Sequence, residues 1–163
     1  CSSHKLLKSY KNIKMKNIPK MKNSTLEIGK KMISLLKEKK EFLNVDTVII
    51  ENQPALKNPT MKTIQMLLYS YFLINGVSDN DSSINNIEMI NARNKLKAYD
   101  GPVVECNIKD KYKKTKFLGI KYCDTMINQN DKIDKKYKEM FENSKKKDDL
   151  SDAYLQGIYW FKK

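Results

Sequence analysis

Residues 46–60 read DTVIIENQPALKNPT. A β-branched run, Val48–Ile50, ends on the charged Glu51, after which Asn52, Gln53 and Pro54 break the pattern. Short apolar runs bounded by turn residues mark strands buried on both faces, the form that parallel sheets take. VDTVII (45–50) is therefore read as a buried strand. A carboxylate at the tip of such a strand is a candidate for chemistry, because burying an unpaired charge is costly. The plainer alternative is an acid exposed at a strand end.

The flanking sequence supplies helices. Ser24 or Thr25 can cap one, and Glu27 stands three residues after Ser24, as a capping box requires. Ile28, Met32, Leu35, Leu36 and Phe42 trace its apolar stripe to about residue 43. After a Pro-containing loop (52–59), TMKTIQMLLYSYFLING (60–76) is apolar on nearly every side and reads as a buried helix stopped by Gly76. The polar loop SDNDSSINN (78–86) leads to a second candidate strand, IEMINA (87–92), and the basic stretch RNKLKAYDGP (93–102). Residues 103–110 fit no single pattern.

A third helix is expected over about 115–128, along Phe117, Leu118, Ile120, Lys121, Cys123 and Met126, followed by a solvated Lys/Asp/Glu segment over 129–147. KKDDLSDAYLQGIYWFKK (146–163) reads as a last helix with Leu150, Ala153, Tyr154, Ile158 and Phe161 facing inward. Helix–strand–helix–strand–helix argues for an α/β layered domain with at least partly parallel strands. Residues 1–23 are Lys-rich and weakly apolar, and read as a basic arm before a domain spanning 24–163.

With 163 residues, 40% of them apolar, the chain is long enough for one domain with a useful core. Its formal net charge of +13 makes a polyanion the first partner to consider. A second explanation stands beside it: of 32 basic residues only Arg93 is arginine, and Lys-, Asn- and Ile-rich composition is what an A·T-biased genome encodes. Three scattered cysteines, Cys1, Cys106 and Cys123, suggest no disulfide framework and point to a reducing compartment. No stretch approaches the roughly 20 apolar residues of a membrane span, and no signal peptide is evident.

Three acids stand out: Glu51, Asp149 and Asp152. Asp149 and Asp152, at i and i+3, share a helix face beside Leu150, Ala153 and Tyr154. Asp148 is the more ordinary first-turn acid, and capping or the helix dipole alone explains acids in such a place. Converging carboxylates repel one another unless a cation sits among them, and hard oxygen donors suit Mg2+ or Mn2+. Acids that hold metals beside lysines that hold a phosphate backbone describe a nuclease, with Lys95 and Lys116 as candidates to face the scissile phosphate.

VIIENQPALKNPTMKTIQMLLYSYF, IEMINARNKLK, YKKTK and KKDDLSDAYLQ, in this order and rough spacing over about residues 24–160, resemble the Holliday junction resolvases of poxviruses and other large DNA viruses. These are relatives of the RuvC-type resolvases. The resemblance implies an RNase H-like fold and a homodimeric, metal-dependent endonuclease. Such an enzyme nicks opposing strands of a four-way DNA junction, inside the cell at a viral replication site in the host cytoplasm. It implies Glu51, Asp149 and Asp152 as ligands of Mg2+ or Mn2+, Lys95 as an active-site lysine after the second strand, and Lys116 as a further match. The helix at 60–75 corresponds to one near the family's dimer contact.

The family's first acid lies in a pattern S-x-D-x-G-x-x-N, and nothing like it precedes Glu51. Asp46 lies at the other end of the same strand and does not replace it. The chain is therefore expected to lack the N-terminal strands of the sheet and, with three of four carboxylates, to show little or no activity alone. A non-catalytic DNA-binding protein of the same fold is the alternative. CSSH (1–4) has the C-x-x-H spacing of a zinc-ligand pair, though one pair cannot complete a site.

Overall fold

The computed structural model describes residues 24–56 and 58–163. The basic arm over 1–23, with Cys1 and His4 of the zinc-like pair, lies outside the described residues. The chain divides into two compact units that meet in sequence at Asn91 and Ala92.

In the first unit, helix α1 (Thr25–Lys37) starts where the capping box placed it, with the Ser24 side chain accepting from the Glu27 backbone N–H. Ile28, Met32 and Leu36 are its buried stripe. The helix stops earlier than its apolar pattern suggested: Phe42 belongs to a separate 3-10 turn, Lys40–Leu43, from which it packs back onto the core. Strand β1 (Thr47–Glu51) pairs in parallel with β2 (Asn86–Ile90), Glu51 opposite Ile90. The α/β class and the parallel pairing match the expectation, with β1 shifted to exclude Val45 and Asp46 and to include Glu51.

Helix α2 (Pro59–Phe72) crosses between the strands. Asn58 caps it by accepting from the Met61 N–H, and Pro59 occupies the first turn, where its missing donor costs nothing. The expectation of a helix buried all round is corrected: only Gln65, Tyr71 and Phe72 are buried, and Met61, Met66 and Leu73 are exposed. One face meets α1 and the sheet; a uniformly apolar sequence does not say which. Gly76 is not the stop either. The helix continues through a π-helical turn, Leu73–Val77, in which a Cβ at Gly76 would stand 2.8 Å from Ile84 Cδ1. The glycine is there for close packing. Met32, Leu36, Tyr71, Phe72 and Ile84 form the buried centre of this unit.

The second unit opens with a 3-10 stretch, Ala92–Ala98. Residues 101–110 carry no regular structure. Helix α3 (Lys111–Gln129) starts four residues before its expected position, because Asp110 caps it by accepting from the Lys113 N–H at 2.7 Å. The solvated segment expected over 129–147 is also corrected. It holds helix α4 (Lys135–Glu142), whose Phe141 is 1% exposed, and buries Ile133. Helix α5 (Lys147–Lys162) buries Leu150, Ser151, Tyr154, Leu155 and Gln156. Ala153 and Phe161, expected inside, are exposed. The face that packs is centred on Leu155, which completes the core with Cys123, Ile127, Phe141 and Ala98.

Candidate active site

Glu51 ends β1, and the residues after it explain why the strand stops there. The Asn52 N–H still donates to the Ile90 carbonyl at 2.8 Å, the last bond of the parallel ladder. The chain then turns into α2: the Gln53 N–H donates to Gln65 Oε1 at 2.8 Å, and the Gln53 side chain donates to Glu51 Oε1 at 2.8 Å. Lys62 Nζ donates to both Asn52 Oδ1 (2.9 Å) and Gln65 Oε1 (3.2 Å). Gln65 is only 3% exposed, so a buried amide satisfied on several sides anchors the bend. The Asn and Gln of IENQ thus hold Glu51 at the C-terminal end of the parallel pair, the end at which open α/β sheets bind ligands. Gln65 and Lys62 were missed from sequence. The available signal was one amide in the middle of an apolar helix.

The other candidates share the second unit. Lys95, on the 3-10 stretch, is 8% exposed, and its ammonium lies 2.6 Å from Asp152 Oδ2 on α5. Lys116, on α3, donates to Asp148 Oδ2 at 2.8 Å. Two ion pairs therefore tie α5 to the elements beside it. Lys162 adds a third tie at the far end, donating to the Ala98 carbonyl at 2.8 Å and to Asp100 at 2.7 Å. Asp149 is exposed and Asp152 half-buried, one turn apart on α5. The structure thus brings Lys95, Lys116, Asp149 and Asp152 onto one set of packed elements, and adds Asp148, which sequence gave only a capping role. Glu51 stands in the other unit.

The charges respond to these contacts. The ammonium of Lys116 hydrogen-bonded to Asp148 holds that carboxyl below the usual aspartate range, and the same bond raises the lysine's pKa. A carboxyl whose pKa is lower folded than unfolded contributes stability that is present above its unfolded value, about 3.9, and is lost as pH falls through the folded value. Asp148→Asn is thus expected to lower the urea midpoint at about pH 7 and to approach the parent protein as pH falls below the ordinary aspartate value of about 3.9. Equal offsets above and below that value would contradict the pairing. Burial pushes the Tyr154 hydroxyl up to about 12, so this core phenol stays protonated and is no candidate base.

Among the described residues, no group of three or more His, Cys, Asp or Glu side chains is gathered to hold a metal. The donor chemistry nonetheless suits Mg2+, which takes one or two carboxylates and fills its shell with water and substrate phosphate rather than with an all-protein cage. Asp149 and Asp152, adjacent and hard, are of that kind. Cys123 is fully buried in the core and Cys106 half-buried; neither forms a disulfide. No helix among the described residues is long and apolar enough to cross a membrane.

The chain is similar to an uncharacterized protein of Acanthamoeba polyphaga mimivirus, 41% identical over 159 residues that cover 90% of this chain. The chain spans 37% of that protein's length. No protein-family model matches the chain, and no solved structure matches it.

Proposed function

We propose that this protein is a metal-dependent endonuclease of the RuvC-type, RNase H-like class, acting on four-way DNA junctions. The observation that carries the reading is the pairing of a nearly buried lysine, Lys95, with Asp152 at 2.6 Å, on a helix that also presents Asp149. A lysine shielded from water beside a carboxylate on an exposed helix end keeps both charges oriented without consuming the neighbouring acid. Similarity to a giant-virus protein supports only the viral part of this reading.

On this reading Asp149 and Asp152 would hold Mg2+, or Mn2+ in its place, and Glu51 is the further ligand that the sequence resemblance implies. When bound, the metal supplies charge at the scissile phosphodiester and lowers the pKa of the attacking water. The chain's own contribution is positional. The Asn52–Gln53–Gln65 bonds fix Glu51 at the end of β1. Lys95 fixes Asp152, and Lys116, drawn to Asp148, leaves Asp149 exposed. A two-fold substrate is matched by a homodimer, each copy cutting one of two opposing strands.

The test is a labelled four-way junction incubated in Mg2+ with the protein expressed from its whole gene, read on a denaturing gel. Paired nicks at symmetry-related positions, absent with EDTA, are expected. Tight junction binding without any nick would replace this reading with that of a non-catalytic DNA-binding protein.

A further inference from the structure

We infer that the first turns of α3, with the residue that leads into them, are the surface that grips the DNA backbone next to the α5 carboxylates; this rests on the nuclease reading above. Lys109, Lys111, Lys113 and Lys114 are all exposed, and Tyr112 among them is 69% exposed. The one acid in this segment, Asp110, spends a carboxylate oxygen on the Lys113 N–H as helix cap. Among the described residues none of these four ammonium groups is in an ion pair.

Several lysines elsewhere among the described residues contrast with them. Lys30 is paired with Glu27 on α1, and Lys135 with Glu139 and Lys136 with Asp134 on α4. Those faces are mosaics of both signs, as a codon-driven excess of lysine spread over a solvated surface would produce. In the α3 segment four lysines stand against the single acid Asp110. The position of the segment is also fixed: the Lys116–Asp148 bond at 2.8 Å holds the second turn of α3 against the first turn of α5, which carries Asp149. A phosphate backbone lying on Lys111–Lys114 passes beside that carboxylate. Lys111 and Lys114, three apart on the helix, stand about 5–6 Å apart at Cβ, and flexible lysine stems reach successive phosphates without reading bases.

The experiment compares two triple variants of the protein with equal charge change. One is Lys111→Gln, Lys113→Gln and Lys114→Gln. The other is Lys37→Gln, Lys40→Gln and Lys132→Gln, all exposed and outside the Lys109–Lys114 segment. Binding to a fluorescent four-way junction is measured across a salt series, with circular dichroism to verify folding. Each lost phosphate contact lowers the slope of log affinity against log salt by about 0.9. The α3 triple is expected to lower the slope by about 2 to 3 and to weaken binding about tenfold or more near 0.15 M salt, with the control close to the parent. Two triples that weaken binding equally would overturn the surface and leave the nuclease reading standing. A parent protein whose junction affinity has no salt slope would overturn both.

Discussion

If the proposed nuclease reading holds, Glu51→Gln is expected to reduce Mg2+-dependent nicking of a four-way junction by at least about a hundredfold, since loss of a carboxylate that would hold the metal removes several kcal/mol of transition-state stabilisation. The fold should hardly notice. Glu51 Oε1 accepts from the Gln53 side chain at 2.8 Å, and a glutamine at 51 retains a carbonyl acceptor for that bond. The ladder bond from Asn52 and the Gln53–Gln65 bond are both donated by backbone N–H groups, the latter to the Gln65 side chain, and are untouched. The variant should therefore unfold in urea like the parent and bind the junction with the same salt slope, while cutting it far more slowly. Unchanged cutting would remove Glu51 from the chemistry. A parallel fall in stability would show that its role is to hold the end of β1.

Asp152→Asn is expected to have the largest effect on stability. It leaves the ammonium of Lys95, only 8% exposed, facing an amide. Removing one partner of a fully buried pair costs about 3–5 kcal/mol. The Asp152 side chain is 34% exposed, so solvent compensates part of this and the expected loss is about 2–3 kcal/mol. Lys95→Met combined with Asp152→Asn should recover most of it, because an unbranched apolar side chain fills the same path without a charge to satisfy. Activity should not return with stability, since the double variant lacks both the carboxylate and the lysine. A double variant as unstable as the single one would mean that the pair does not hold α5 to the 3-10 stretch. Recovered nicking would mean that neither group takes part in cleavage.

Features written locally were legible in sequence. The capping box at Ser24, the β-branched run before Glu51 and the acids at i and i+3 on α5 depend on neighbours a few residues away, and their physics is short-range. What failed needed tertiary information. The segment over 129–147 looked solvated because its lysines and acids outnumber Tyr137, Met140 and Phe141, yet those three share the face that packs. The apolar sequence of α2 did not say which side meets α1 and β1, and Gly76 looked like a stop because its packing partner, Ile84, lies across a loop. In the site, Asp148, Asp149 and Asp152 carry equal chemistry as letters. Only the reach of Lys116 and Lys95 from other elements separates two ion-paired acids from an exposed one. IENQ was legible as an oddity, but the reason for its Asn and Gln became plain only with Gln65 and Lys62 beneath them.

The central claim is that these carboxylates serve paired strand cleavage of a branched DNA. It is tested most directly with a supercoiled plasmid that extrudes a cruciform, incubated in Mg2+ with the protein expressed from its whole gene. The account predicts linear plasmid with symmetrically placed nicks at the cruciform base, and none with Glu51→Gln. Intact plasmid under conditions where the protein is bound to the cruciform, or equal linearisation by parent and variant, would contradict it.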